Sequence, residues 1–375
     1  MSINYIEDSK FNKINESFAY ELFNEIKKLL GNVDSVYTQV REGEYLEKLK
    51  KFNYTTDKVL IQLRDGWHMQ EQKNFKETNT VFEWLSKTYP DKTFYVLTDY
   101  ANPELIINFE NIVPLSIGTY ISDDVEYKKL LPVDNKKFEG KHAISLNRNL
   151  RMHRLMLLSY IFGKGYNNNI SLSALQLKYK CNNDLMDIVD WEFKEDQYNI
   201  RDYCIDGFKQ LCASKDVEGD EPYTMLENTE TVVKWCNAEN FDKRLRLKYE
   251  NTAVEIISET SFSTPTGLTT EKYLNSVYGF NFPIVIGFSG LVNHLRNFGF
   301  DMFDDIIDHS YDIILNDTDR LVKAIELNKE ILTNKELAVQ LWQSNKQRFI
   351  SNYNFAKKEM YNKVKNKLTN EITTR

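Results

Sequence analysis

The chain has 375 residues, of which 42% are apolar and 27% charged, and a formal net charge of −7. That composition belongs to a folded globular protein, and two domains are the expectation at this length. It argues against a general nucleic-acid coat, which needs concentrated positive charge, but leaves room for a local basic cleft that takes a small anion.

In chain order, Phe18, Leu22, Phe23, Ile26, Leu29 and Leu30 recur at helical spacing and stop at Gly31, which predicts one amphipathic helix. Lys58–Leu63 (KVLIQL) reads as a buried strand, followed by the loop Arg64-Asp65-Gly66-Trp67-His68. A helix is expected over residues 74–87, ahead of Pro90, and then a second strand, Thr93–Leu97, ending in Thr98, Asp99 and Tyr100. Asn111–Ile117 reads as a third strand, although Pro114 argues against a central place in a sheet. This alternation predicts a parallel α/β domain over residues 1–135, closed by the linker LPVDNKKFEG. A second domain, 141–345, then opens with the short strand Lys141–Arg148 and the helix Leu150–Phe162.

Residues 172–250 mix helical patches with acidic loops and carry no legible chemistry. Val254–Ile257 ends in Ser258, Glu259 and Thr260; a loop with Pro265 and Gly267 follows, Thr270-Glu271-Lys272 opens a helix, and Pro283 leads into Ile284, Val285 and Ile286. Strand, polar loop, helix and strand make an α/β unit whose functional groups gather at the carboxyl ends of strands. Beyond it, 291–298 and 301–307 read as short helices, 321–365 as one or two long ones, and 346–375 as a basic helix that packs back on the first domain. The four cysteines, Cys181, Cys204, Cys212 and Cys236, lack CxxC spacing and read as thiols of a reducing compartment. With neither an apolar leader nor an apolar run of about 18 residues, a cytoplasmic, non-spanning protein is expected.

Arg148, Arg151 and Arg154 stand where a strand passes into a helix. Cations are unfavourable at a helix amino terminus unless an anion joins them, and guanidinium forks match phosphate oxygens. Phosphate binding and salt bridging to the acidic middle segment are both open on the residues alone, and His153 among them reads as a packing or hydrogen-bonding histidine. Glu271 is placed to accept the two hydroxyls of a ribose and Lys272 to neutralise a phosphate, against the plainer reading of ordinary helix-start composition. There is no GxGxxG, no GxxxxGK[ST] and no HExxH, so a standard dinucleotide fold, a P-loop NTPase and that zinc motif are not indicated.

Two segments, residues 144–162 and 257–312, resemble a glycosyltransferase-like family of phage, giant-virus and bacterial proteins, distantly similar to fucosyltransferases of the GT-B fold. The shared features are Asn147-Arg148, Arg151, His153-Arg154, Ser258-Glu259-Thr260, Thr270-Glu271-Lys272, Pro283, Gly287, Leu295, Gly299-Phe300, Phe303 and Tyr311-Asp312. The resemblance implies two Rossmann-like α/β domains facing a cleft, with a nucleoside-diphosphate sugar in the carboxyl-terminal one. It implies a diphosphate contact at Arg148 or Arg151, a ribose contact at Glu271 and a phosphate or sugar contact at Lys272. Where the fucosyltransferases are alanine-rich, residues 273–278 read YLNSVY, so GDP-fucose is not required as donor.

The function expected is therefore metal-independent glycosyl transfer to an acceptor hydroxyl of a small molecule, a glycan or DNA, without a cofactor. The nucleotide-side candidates are Arg148, Arg151, Arg154, Ser258, Glu259, Thr270, Glu271 and Lys272. The candidate bases are Asp65, with His68 as its rival and Asp99 as the fallback, although Asp65-Gly66 also suits a plain turn. Rival expectations are a nucleotide or phosphosugar binding protein without turnover, and a phage-type transferase acting on an extruded hydroxylated DNA base.

Overall fold

A computed structural model describes residues 4–6, 18–38, 49–63, 72–105, 107–118, 136–147, 152–174, 200–214, 246–260, 262–263, 267 and 269–374. Two compact units emerge: residues 1–123, 263–271 and 357–375 make the first, and 124–262 with 272–356 the second. Among the described residues each unit is built on one sheet, and every strand pair within the two sheets is parallel.

The first sheet takes its five strands in chain order: β1 (Asn4–Ile6), β2 (Asp34–Thr38), β3 (Lys58–Leu63), β4 (Thr93–Thr98) and β5 (Ile112–Ser116). Alternate residues of β3 and β4, Val59, Ile61, Phe94 and Val96, share a core with Val81, Phe82 and Leu85 of α2 (Gln72–Thr88). α1 (Phe18–Leu30) buries Leu22, Phe23 and Ile26, the apolar stripe its spacing predicts. β5 is the edge strand, and Pro114 lies level with Val96 of β4. An edge is the place in a sheet where a residue without an N–H is tolerated.

The second sheet has the order β7-β6-β8-β9, from β6 (Ala143–Asn147), β7 (Ile170–Ala174), β8 (Val254–Ser258) and β9 (Phe282–Ile286). All five residues of both β8 and β9 are buried, as befits parallel strands covered on two faces. α3 (Met152–Gly163) follows β6 and packs on α4 (Ile200–Ala213). Their closest approach falls at Gly207, where an added Cβ would lie 1.8 Å from the Ser159 carbonyl oxygen, so any side chain there pushes the helices apart. α5 (Arg246–Asn251) precedes β8, and α6 (Glu271–Tyr278) joins β8 to β9. α7 (Leu291–Phe298) follows β9.

Three expectations need correction. Residues 301–307 form turns rather than a helix, with Phe303 in the left-handed region at φ 57° and its N–H donating to Asp301 Oδ1 at 2.8 Å. The 321–365 stretch breaks into α8 (Asp317–Leu327), α9 (Lys329–Thr333), α10 (Lys335–Ser344) and α11 (Lys346–Asn354), then a π-helical turn, Phe355–Glu359, and α12 (Met360–Thr373). Asparagine sets the breaks: Asn316 and Asn334 cap α8 and α10 with side-chain oxygens, and Asn328 and Asn345 occupy the other junctions. Finally, Cys212 is disulfide-bonded, and Cys204 is buried outside any disulfide. α12 packs on α1 and β5 through Met360, Val364 and Leu368, one residue per turn, and Lys365 pairs with Glu25 at 2.8 Å.

Candidate functional site

The second sheet has a point where its winding reverses. From β6 the chain moves to β7 on one side, whereas β8 continues to β9 on the other. Ligands of open parallel sheets bind outside the carboxyl ends of the strands at such a reversal. Here the two strands also part. β6 and β7 pair over five residues, as do β8 and β9, but the β6–β8 ladder consists only of Ala143–Val254 and Ile144–Glu255. Counting on from that register puts Asn147 and Ser258 level with one another, on the same face of strands that have ceased to pair.

Both side chains end in unused oxygens. Asn147 is fully buried; its Nδ2 donates to Ser145 Oγ at 3.0 Å, and its Oδ1 has no partner. Ser258 is 1% exposed and its Oγ has none either. Buried polar atoms are nearly always paired, so two at one opening mark a place prepared for something else.

The first turn of α3 and the loop after β8 are tied together beside this opening. Arg154, buried, donates from Nη2 to the Ser258 carbonyl at 3.2 Å and to Thr260 Oγ1 at 3.4 Å. His153 donates from Nε2 to the Glu259 carbonyl at 3.0 Å and stacks on Phe262 with ring centres 4.6 Å apart. His153 is thus the packing and hydrogen-bonding residue its sequence suggested. From α6, Lys272 donates to the same Thr260 hydroxyl at 3.2 Å and stands 3.9 Å from the carboxylate of Glu259. Glu259 is wholly buried and accepts the Thr260 N–H at 3.1 Å; its own N–H donates to the Ile286 carbonyl of β9 at 2.8 Å. Two cations therefore converge on one hydroxyl beside one carboxylate, a positively weighted, low-dielectric corner suited to an anion.

The third strand end is closed. Asp312, buried, accepts the Val292 N–H on Oδ1 and the Asn293 N–H on Oδ2, each at 3.0 Å, so an internal carboxylate fills the amino terminus of α7 where an anion would bind. Arg320, 1% exposed, holds the turn after β9 through the carbonyls of Gly287 at 2.7 Å, Phe262 at 2.8 Å and Ile314 at 2.7 Å, and pairs with Asp317. At the opposite end of β8 lies a polar knot. Lys136 donates to the Thr252 carbonyl and to Asn281 Oδ1, each at 2.5 Å, and Glu255 accepts Tyr249 Oη at 2.9 Å. Burial pushes the Glu255 carboxyl up to about 8 and the Lys136 amine well below its ordinary range.

Of the sequence candidates, the structure brings together Arg154, Ser258, Glu259 and Lys272. Thr270 is buried just ahead of α6, and Glu271 is the first residue of that helix. Asp99 is buried at the carboxyl end of β4. Arg148, Arg151, Asp65 and His68 lie outside the described residues. Asn147, Thr260 and Asp312 were not among the candidates; Asn147 ends the apolar strand β6 and Thr260 stands two residues past β8, which was a usable signal, whereas Asp312 acts from 20 residues downstream of the amide it accepts from. Among the described residues no group of three or more His, Cys, Asp or Glu is placed to hold a metal ion, and no helix is long and apolar enough to cross a membrane.

No protein-family model matches the chain, and no curated protein matches it. Among solved structures it is similar to the crystal structure of a glycosyltransferase from Rickettsia africae ESF-5, with a TM-score of 0.41 and 11% identity over 100% of this chain and 85% of that one. A likeness of that size transfers neither fold nor reaction.

Proposed function

We propose that the chain is a metal-independent, GT-B-like glycosyltransferase that moves a sugar from a nucleoside-diphosphate sugar to an acceptor hydroxyl. The observation that supports it most is the parted β6–β8 ladder, with the unused oxygens of Asn147 and Ser258 beside the Lys272–Thr260–Arg154 corner. Unused acceptors suit hydroxyl-rich groups, and a cation-weighted corner suits a diphosphate.

In this reading Arg148, Arg151 and Lys272 take the diphosphate and Glu271 the ribose. Arg154, committed to the Ser258 carbonyl and Thr260, holds the β8 loop in place rather than meeting the ligand. As the bond from the anomeric carbon to the diphosphate oxygen breaks, negative charge grows on the leaving group. Cationic donors fixed beforehand stabilise that charge without reorganising. The acceptor hydroxyl loses its proton to a base drawn from Asp65, His68 and Asp99.

The test is a panel of UDP-, GDP- and CMP-sugars, each assayed for binding by calorimetry and for release of the free nucleotide. Nucleotide release with one donor, accelerated by an acceptor, is the expected result. Binding without release under any acceptor would turn the reading into a phosphosugar-binding protein, and absence of both would remove it.

A further inference from the structure

Behind the end of β9, three contacts run in series: His309 Nε2 to the Met302 carbonyl at 2.9 Å, His309 Nδ1 to Tyr311 Oη at 3.0 Å, and Tyr311 Oη to the Val285 carbonyl at 3.0 Å. Both ends of the series are carbonyl oxygens, which only accept. Three hydrogen bonds need three protons between these groups. A neutral imidazole and a phenol bring two, and an imidazolium and a phenol bring three. Tyr311 keeps its proton, because complete burial pushes the phenol far above its ordinary range.

We propose that His309 is a proton-operated latch that sets whether Tyr311 holds the Val285 carbonyl of β9. With the imidazole neutral, the proton sits on Nε2, facing Met302, and the Tyr311 hydroxyl turns to the bare Nδ1, leaving the Val285 carbonyl without this donor. When a second proton arrives, Nδ1–H donates to Tyr311 Oη and the phenol turns to Val285. The charged groups around the ring are Asp304, Asp308 and Asp312 on its own segment and Arg296 on α7. Burial moves the imidazole below its usual value of 6.5, with Arg296 adding to it, against the Met302 carbonyl, Asp304 and Asp312. The second proton is therefore taken up at lower pH than by an ordinary imidazole, and the neutral ring is the favoured form at pH 7.

The latch matters because of what it adjoins. Val285 pairs with Ile257, and the next carbonyl of β9, that of Ile286, accepts the N–H of Glu259 at 2.8 Å. The His309 carbonyl accepts the N–H of Asp312 at 2.9 Å, and the Asp312 carboxylate closes the amino terminus of α7. One proton thus changes the bonding of the strand that borders the β8 loop and of the segment that caps the next helix.

The experiment is an NMR titration of the full chain carrying 15N-histidine and 13C-carbonyl valine, for the parent, Tyr311→Phe and His309→Gln. Expected in the parent is an Nε2–H tautomer at high pH, a transition below pH 6.5, and a Val285 carbonyl shift with the same midpoint. In Tyr311→Phe the histidine transition moves to lower pH and the Val285 carbonyl stops responding; in His309→Gln that carbonyl response is also lost. An Nδ1–H tautomer at high pH, or a Val285 carbonyl that stays constant while His309 titrates, overturns the proposal. So does a ring that takes up no second proton before acid unfolding, or a Val285 response that persists in Tyr311→Phe.

Discussion

The two sheets use the same parallel pairing and differ in winding. The first runs β1 to β5 in chain order, so its connections never reverse direction. The second starts from an inner strand and winds both ways, and its ladder opens where the two windings meet. A reversal forces two neighbouring loops to leave in opposite directions, and the space between them is what a ligand fills. Hence polar strand ends in the two units do not carry the same meaning. Ser116 and Thr98 end strands of the first sheet and serve local bonds, Ser116 Oγ to the Tyr100 carbonyl at 2.6 Å and Thr98 Oγ1 to the Tyr100 N–H at 3.3 Å. Asn147 and Ser258 end strands of the second and leave oxygens unused.

The largest effect is expected at Arg320, where one buried guanidinium binds four carbonyls and Asp317. Arg320→Met leaves those acceptors unpaired and should cost about 3–5 kcal/mol. Hydrogen exchange read by mass spectrometry reports on each unit separately. Protection should fall across β9 and α7 while β3 and β4 keep theirs. An equal loss in both would show that the two units unfold together and would break the comparison at the level of stability.

The two ends of β8 sharpen it further. Glu255 near the amino end titrates at about 8 in the fold against an ordinary 4.5, because burial opposes its charge. Between those values the folded chain holds a proton that the unfolded chain has lost. Stability from this group is therefore full below 4.5 and declines as pH rises to 8, by about 1.4 kcal/mol per unit. Lys136 has the opposite sign: its folded pKa is depressed, so above it stability rises with pH until the unfolded chain also deprotonates near 10.5. Urea midpoints between pH 5 and 8 should fall less steeply in Glu255→Gln than in the parent. Equal slopes would mean that Glu255 is ionised in the fold.

At the carboxyl end of β8, Thr260→Val removes the hydroxyl shared by Arg154 and Lys272. If the corner holds a diphosphate, donor binding should weaken by about 1.5–3 kcal/mol. Ser116→Ala, at a strand end of the first sheet, should leave it unchanged. Calorimetry with the best donor of the panel checks both, and a matching loss in Ser116→Ala would deny the second sheet its special place.

Much of this organisation was legible in the residues. The helix 18–30, the strand 58–63 and the helix 291–298 are found at their expected bounds, because each has a clean apolar period and a sharp stop. The asparagine breaks after residue 327 were missed, since asparagine inside a helical pattern looks neutral until its side chain accepts an N–H. β1, β2 and β7 were missed as well, being short and carrying polar residues such as Asp34, Ser35 and Ser171. Ser258, Glu259 and Lys272 were chosen from strand-end polarity and helix-start chemistry, and they lie together at one corner of the second sheet. Which strand ends meet depends on the order β7-β6-β8-β9, and strand order leaves no mark in a local window.

The smallest effects are expected at two prolines that make the sheets comparable once more. Each sheet finishes in an edge strand bearing one: Pro114 in β5, level with Val96, and Pro283 in β9, level with Glu255. Neither donates to the ladder, and each limits the freedom of the unfolded chain. Replacement by alanine loses that restriction, worth about 0.4–1 kcal/mol. Pro114 is part-exposed, so little else is lost. Pro283 is buried with the rest of β9, and its missing ring methylenes bring the cost to about 2 kcal/mol. Denaturant midpoints of Pro114→Ala and Pro283→Ala, measured side by side, should therefore rank the second variant as the less stable. The reverse order would place Pro114 in a more enclosed strand than β5, and the first sheet would then need a further element along that edge.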